Sequence, residues 1–112
     1  MTKESLNLSE KPYSLKDLIS MQSGSVVSRV LLKQSTGSVT LFAFDAGEGL
    51  SEHTSPYDAL VQILEGQAHI TIGSQKHVVD SSNIILLPAN TPHALQAQQP
   101  FKMLLTMIRD KT

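Results

Sequence analysis

The sequence predicts an all-β fold, an antiparallel sandwich or barrel, and three observations indicate it. From Gly24 onward, short apolar segments are separated by turn-forming glycine, serine and asparagine residues. Segments of this length and spacing are typical of antiparallel strands. In QAHITI (67–72), Ala68, Ile70 and Ile72 alternate with polar residues, which places the apolar side chains on the core face of a strand. Helix signals are confined to one short stretch before Gly24.

The N-terminal part is predicted to contain a flexible segment, residues 1–13, followed by one short helical turn. Residues 1–13 are mainly polar. In SLKDLISM, which begins at Ser14, Asp17 follows three residues later, a spacing that allows the serine to cap a helix. The apolar side of this turn would consist of Leu15, Leu18 and Ile19.

The remaining chain is predicted to form strands in sequence order, each bounded by a turn signal. Glu65-Gly66 and Gly73-Ser74 are interpreted as hairpin turns. The predicted strands cover residues 25–33, 38–47, 59–66, 67–73, 75–79, 83–88 and 101–108.

Two of these segments, IILL (84–87) and MLLTMI (103–108), are apolar on both strand faces. Such a strand needs a covering layer on each side. A partner subunit would supply the second layer, so the sequence predicts a homodimer.

Composition limits the number of domains and the kinds of partner. A chain of 112 residues with 40% apolar residues encloses one core, so residues 14–112 are predicted to form a single domain. The net charge is −1 and the basic residues are scattered, which predicts no nucleic-acid partner. No apolar run is long enough for a membrane span or a signal peptide. The absence of cysteine excludes disulfides and thiolate metal sites and predicts a cytoplasmic location.

Two short motifs flank the predicted hairpin strands. Gly47 is followed by five residues and then by His53, and this segment closes with Gly66 in ILEG. Further along the chain, Pro88 and His93 lie in LPANTPHAL. In this order, within a chain of strands, the two motifs resemble those of the cupin superfamily over roughly residues 38–97. The resemblance implies a jelly-roll barrel, also called a double-stranded β-helix, in which both motifs flank one pocket.

The sequence departs from the family pattern at several motif positions. Of the four metal ligands usual in the family, it retains His53 and His93. Ser55 stands at the position of the second histidine, and Ala59 stands at that of the glutamate. Three further departures are Ser82, Asn90 and Ala97.

The two retained histidines are the candidate metal ligands. Imidazole nitrogen binds divalent transition metals, so the resemblance implies one such ion, Zn, Fe, Ni, Cu or Mn, on His53 and His93. Two protein ligands are fewer than the three of a catalytic zinc site. Either waters or another carboxylate complete the site, or the site has lost its metal and the histidines contact a ligand directly. The predicted pocket residues are His53, Ser55, Asp58, Ala59 and His93.

Asp58 is one candidate for a third ligand. It neighbours the glutamate position, but strand alternation directs it away from the face of Ala59. A bulge after Pro56 would turn it inward. Glu48 and Glu52, which precede His53, are further carboxylates in the same region.

Other residues are assigned structural roles. His69 and His77 are predicted on outward faces of the hairpin strands, without a function. Met103 and Met107 are predicted to pack in the core, with the lining of an apolar ligand pocket as the alternative role. Asn90 is predicted to adopt the left-handed backbone conformation in the turn before Pro92.

Three functions fit this pattern. The first is a metal-dependent enzyme, an oxygenase, isomerase or decarboxylase acting on a small molecule, or a metal-free enzyme with His53 as base and Asp58 as its partner. The second is a metal-free module that binds a small ligand. The third is a structural dimer without catalysis. The fold alone does not decide among them.

Overall fold

A computed structural model of the chain describes residues 6–111. Over this range the chain forms one 3-10 turn, Leu15–Leu18, and nine antiparallel strands, which confirms the predicted all-β fold. The predicted flexible segment, residues 1–13, lies partly outside the described residues. The strands are β1 (Val26–Gln34), β2 (Gly37–Phe44), β3 (Gly49–His53), β4 (Asp58–Glu65), β5 (Gln67–Ile72), β6 (Gln75–Asp80), β7 (Ile84–Leu87), β8 (His93–Gln96) and β9 (Phe101–Ile108).

The strands form two sheets that enclose the core between their inner faces. The first sheet has five strands in the order β1-β2-β9-β4-β7, and the second has four in the order β3-β8-β5-β6. Ala68 and Ile70 of β5 are buried in this core, as the alternation in QAHITI predicts. Two aromatic rings are central to it, because Phe44 and Phe101 are fully buried and stack with their centroids 4.5 Å apart.

The chain passes from one sheet to the other at Gly66. β4 pairs with β7 and β9, whereas β5 pairs with β6 and β8. The prediction of a hairpin at Glu65-Gly66 is therefore wrong, while the hairpin at Gly73-Ser74 is confirmed by the pairing of Ile72 with Gln75. Gly66 has a φ of +81°, and a Cβ there would clash with the carbonyl oxygen of Pro100. This corner therefore requires glycine.

The N-terminal turn covers part of the outer face of the five-stranded sheet. Ile19 is buried against Leu41 and Ala43 of β2, with Leu15, Leu18 and Leu104 packed beside them. The predicted apolar side of the turn is thus confirmed, and the chain itself supplies a second layer over part of this face. The predicted serine cap is wrong, because the side chain of Ser14 makes no capping hydrogen bond. Its carbonyl accepts a hydrogen bond from the backbone N–H of Asp17 instead.

The 3-10 turn between Leu15 and Leu18 is far too short to span a bilayer, and the part of the chain that the structure describes contains no helix suited to that role.

Candidate functional site

Two short strands, β3 and β8, carry the two motif histidines. His53 ends β3, His93 begins β8, and the two residues are cross-strand partners in the four-stranded sheet. The register shifts between Leu50 and His53, which is the mark of a bulge or irregularity in β3. Neither strand is among the predicted ones, because GLSEH and HALQ lack the long apolar runs that mark the other strands.

The imidazole rings of His53 and His93 point at each other. Their Nε2 atoms lie 3.1 Å apart, and the ring planes meet edge to face at 73°. His93 is only 5% exposed, whereas His53 is exposed to solvent. One ring is therefore embedded in the protein, and the other is open to ligands from outside.

Backbone carbonyl groups determine which ring nitrogens carry protons. His53 Nδ1 lies 2.6 Å from the carbonyl oxygen of Ser51, and His93 Nδ1 lies 3.1 Å from that of Thr91. A carbonyl oxygen only accepts, so each Nδ1 must be the donor. Both neutral rings therefore present the lone pair of Nε2 to the same point. Two lone pairs at this distance repel each other, and a proton or a metal cation bound by both nitrogens would remove this repulsion.

The burial of His93 favours its neutral form. Desolvation lowers the pKa of His93 below its ordinary value of 6.5. The hydrogen bond to the Thr91 carbonyl opposes this effect, and positive charge on His53 adds to it. His93 is therefore neutral at pH 7, and its Nε2 lone pair is free to bind a cation.

Acidification below pH 6.5 is expected to destabilise the metal-free chain through His93. Because the pKa of His93 is lower in the folded state, the unfolded chain takes up the proton first as the pH falls. The contribution of His93 to the free energy of unfolding is constant above 6.5 and decreases from there through the folded-state pKa. Urea denaturation at several pH values, with a chelator present, measures the free energy of unfolding. This free energy should fall more steeply with decreasing pH in the wild type than in His93→Gln. Equal slopes would contradict the effect of burying His93.

The histidine pair lies at a small apolar cavity between the sheets. Its volume is about 50 Å³, enough for one or two water molecules and well below the roughly 300–1,000 Å³ of a typical ligand pocket. An ion and a water fit inside, and anything larger must reach the pair from the open side of His53. The cavity is lined by Leu50, His53, Ser55, Ala59, Leu87, His93, Leu95, Met103, Leu105 and Met107.

The structure brings together four of the five predicted pocket residues, His53, Ser55, Ala59 and His93. It leaves Asp58 outside this cavity, exposed, with its Oδ1 accepting a hydrogen bond of 2.9 Å from the backbone N–H of Ala89. This hydrogen bond links the start of β4 to the loop after β7. Within residues 6–111, no three or more histidine, aspartate or glutamate side chains group closely enough to hold a metal ion.

Asn90 connects the two loops beside the site. Its φ of +62° confirms the predicted left-handed conformation. Its backbone N–H donates a 2.7 Å hydrogen bond to the carbonyl oxygen of Ser55. The first motif is therefore held directly against the second.

Met103 packs in the core as predicted, and together with Met107 it also lines the cavity, which is the alternative role considered for them. The structure adds two groups that the sequence does not reveal. The carbonyl groups of Ser51 and Thr91 orient the imidazoles, and backbone atoms leave no signal in the sequence. Leu50 and Leu95 would have been recognisable from their alternation if β3 and β8 had been predicted as strands.

The other two histidines lie away from the pair. His69 is half-buried on the outer face of the four-stranded sheet, as predicted, where it lines an open groove with Thr71 and Lys76. The prediction for His77 is wrong, because His77 pairs with Ile70 and so shares the inner face. It is nevertheless exposed, since β6 is an edge strand of its sheet.

Comparison with known families matches this chain to one family model, described as a cupin domain, over residues 40–108. The matched range includes both motif histidines, His53 and His93, and every strand from β3 to β9. Comparison with curated proteins finds no match.

Several solved structures are similar to this one over nearly the whole chain. A conserved protein of unknown function from Streptococcus pyogenes is 34% identical, with a TM-score of 0.87 over 91% of this chain and 90% of that one. A cupin superfamily protein from Desulfitobacterium hafniense is 34% identical, with a TM-score of 0.86 over 90% of this chain and 93% of that one. A cupin 2 conserved barrel domain protein from Leptotrichia buccalis is 33% identical, with a TM-score of 0.84, over 87% of this chain and 47% of that one.

Proposed function

Because this chain belongs to the cupin family, we propose that His53 and His93 hold one divalent transition metal ion, at which the barrel binds a small molecule. The observation that carries the proposal is the convergence of two Nε2 lone pairs at 3.1 Å. Two nitrogens bound to one Zn²⁺ at about 2.0–2.1 Å and at the tetrahedral angle are separated by about 3.3–3.4 Å. The Nε2 atoms of the pair are a few tenths of an ångström closer than this, so a small outward movement of the exposed His53 ring would give the spacing of two ligands of a single ion.

The surroundings of each ring also fit a metal ligand. Metal-binding histidines usually donate their other ring N–H to a carbonyl or a carboxylate, which fixes the ring and its tautomer. Ser51 and Thr91 accept these hydrogen bonds here. The lowered pKa of His93 keeps that ring neutral, so a cation does not compete with a proton at pH 7.

His53 and His93 would hold the ion, and water or a bound molecule would complete its coordination. When bound, such an ion would supply Lewis-acid chemistry, the polarisation of an oxygen atom bound to it. Leu50, Leu95 and Met103 keep the inner side of the pair apolar and exclude bulk water. The exposed side of His53 is the entry for a small molecule with an oxygen or nitrogen donor.

One observation favours a metal-free alternative, which is that the described residues place no third protein ligand beside the pair. In this second candidate function, His53 and His93 share a proton or bind the polar end of a small ligand directly. Ligand binding would then be unchanged by chelators.

Alanine at either His53 or His93 is expected to weaken Zn²⁺ or Co²⁺ binding by at least about 100-fold, because a single imidazole remains. Calorimetric titration of the purified chain measures this change, and visible absorption of bound Co²⁺ provides a second readout. His69→Ala is the matched control, since His69 lies on the opposite face of the same sheet. Binding that survives both motif substitutions, or that His69→Ala weakens equally, would contradict the proposal.

A further inference from the structure

Ser55 adds one hydroxyl group to the cavity at the histidine pair. Within residues 6–111, the polar side chains that line this cavity are those of His53, His93 and Ser55. The neutral imidazoles use their Nδ1–H groups on the carbonyl oxygens of Ser51 and Thr91. The O–H of Ser55 is therefore the side-chain donor of the described lining that is left for a ligand.

Backbone hydrogen bonds hold Ser55 in place from two sides. Its Oγ accepts a 3.1 Å hydrogen bond from the N–H of Tyr57, and its carbonyl oxygen accepts one of 2.7 Å from the N–H of Asn90. The ring of Tyr57 lies 5.3 Å from the guanidinium of Arg109, which donates to the carbonyl oxygen of Ser35. A hydroxyl has two lone pairs and one proton to donate, and Tyr57 engages one of the lone pairs. No group among the described residues accepts the proton of Ser55 Oγ.

An ion bound at the pair would carry positive charge that the lining of the cavity does not neutralise. Imidazole binds metals in its neutral form, and the position at which the cupin motif usually has a glutamate is Ala59. The exposed carboxylate of Asp58 lies outside the cavity and accepts a hydrogen bond from the backbone N–H of Ala89. Apolar surroundings screen charge weakly, so an anion at this site is favoured over a neutral molecule.

We infer that the small molecule bound here is a carboxylate, an inference that rests on the proposed function. One carboxylate oxygen binds the ion held by His53 and His93, and the other accepts a hydrogen bond from the O–H of Ser55. The negative charge offsets that of the ion. Because the cavity of about 50 Å³ holds little more than an ion and a water, the carboxylate enters from the open side of His53. The rest of the molecule stays outside the cavity.

Titration of the full-length, Co²⁺-loaded chain with acetate tests this role of Ser55. Ser55→Ala should weaken acetate binding by at least about tenfold, because a hydrogen bond to a charged group is lost. Ser55→Thr keeps the hydroxyl and should bind acetate nearly as well as the wild type. Thr54→Ala is the matched control, since Thr54 is exposed in the same loop and does not line the cavity. Visible absorption follows each titration at saturating Co²⁺, and circular dichroism establishes that each variant is folded.

Imidazole as a second probe separates the loss of the hydroxyl from damage to the loop. It binds metal through one nitrogen and its other nitrogen carries a proton, so it offers Ser55 no acceptor. Ser55→Ala should therefore bind imidazole as the wild type does, and a variant that loses both probes equally would overturn the inference. Equal acetate affinities of the wild type and Ser55→Ala would also overturn it, while the proposed metal site would stand. A wild-type chain that binds no Co²⁺ would overturn the proposed function and this inference with it.

Discussion

Replacing Phe101 with alanine is expected to lower the free energy of unfolding by about 3–5 kcal/mol. Phe101 is fully buried at the start of β9, the central strand of the five-stranded sheet. Its ring stacks on that of Phe44 with an interplanar angle of 10°. Alanine removes this contact and leaves a cavity between the sheets. Because a domain of this size is stable by about 5–15 kcal/mol, the variant would lose a large part of its stability.

Phe42→Ala is the matched control for this change. Phe42 is half-buried on the same face of β2, with its ring centroid 5.9 Å from that of Phe44. Its removal exposes the site to water rather than leaving an enclosed cavity, so the loss should be smaller. Urea denaturation followed by far-UV circular dichroism measures both variants. Equal losses would show that the stacked pair has no special weight in the core.

Replacing Ala59 with glutamate is expected to strengthen metal binding by at least about tenfold. Ala59 is only 4% exposed and lines the same cavity as His53 and His93. In the resemblance to cupins it occupies the position of the glutamate ligand. A carboxylate there would supply the third ligand that the described residues do not bring to the pair. Without metal, the same substitution should destabilise the fold, because a carboxylate loses its hydration in an apolar cavity.

Ala59→Gln is the control for the size of the new side chain, since a neutral amide is a weaker ligand for these ions. Thermal unfolding with and without Zn²⁺ measures both variants, and titration gives the affinities. The glutamate variant should gain more stability from Zn²⁺ than the wild type or the glutamine variant. Equal gains for the glutamine and glutamate variants would contradict the placement of position 59 beside a metal ion.

Local patterns predict most of the strands. Burial on one face gives an alternation of apolar and polar residues, and burial on both faces gives a continuous apolar run. Ala68 and Ile70 alternate with polar residues, and the structure buries both. The predicted hairpin at Gly66 is wrong because a tight turn within one sheet and a corner between two sheets use the same residues. The partner strand decides between them, and pairing over long sequence distance is not visible locally.

The sequence predicts the side chains of the site but not its backbone partners or its volume. The motif spacing selected His53 and His93 from four histidines, and the structure places their Nε2 atoms in contact. Strand alternation directed Asp58 outward, and it lies there, bonded to the loop after β7. The irregularity in β3 lies between Leu50 and His53, before the position at which a bulge would have turned Asp58 inward. Neither the carbonyl partners of the imidazoles nor the volume of the cavity follows from side-chain identity.

The predicted homodimer followed from segments that are apolar on both faces. The structure divides this surface into two parts. Ile19 and the N-terminal turn cover the part around Leu41, while Leu32, Leu60 and Leu86 are exposed on the same sheet. A single alternation pattern could not separate the two, because the covering segment lies far from these strands in sequence.

Metal analysis of the untagged wild-type chain beside the His53→Ala, His93→Ala double variant would decide whether the two histidines hold an ion. We expect one equivalent of a divalent transition metal per wild-type chain and none in the double variant. A wild-type chain that holds no metal after incubation with iron, zinc, nickel, copper and manganese would contradict it.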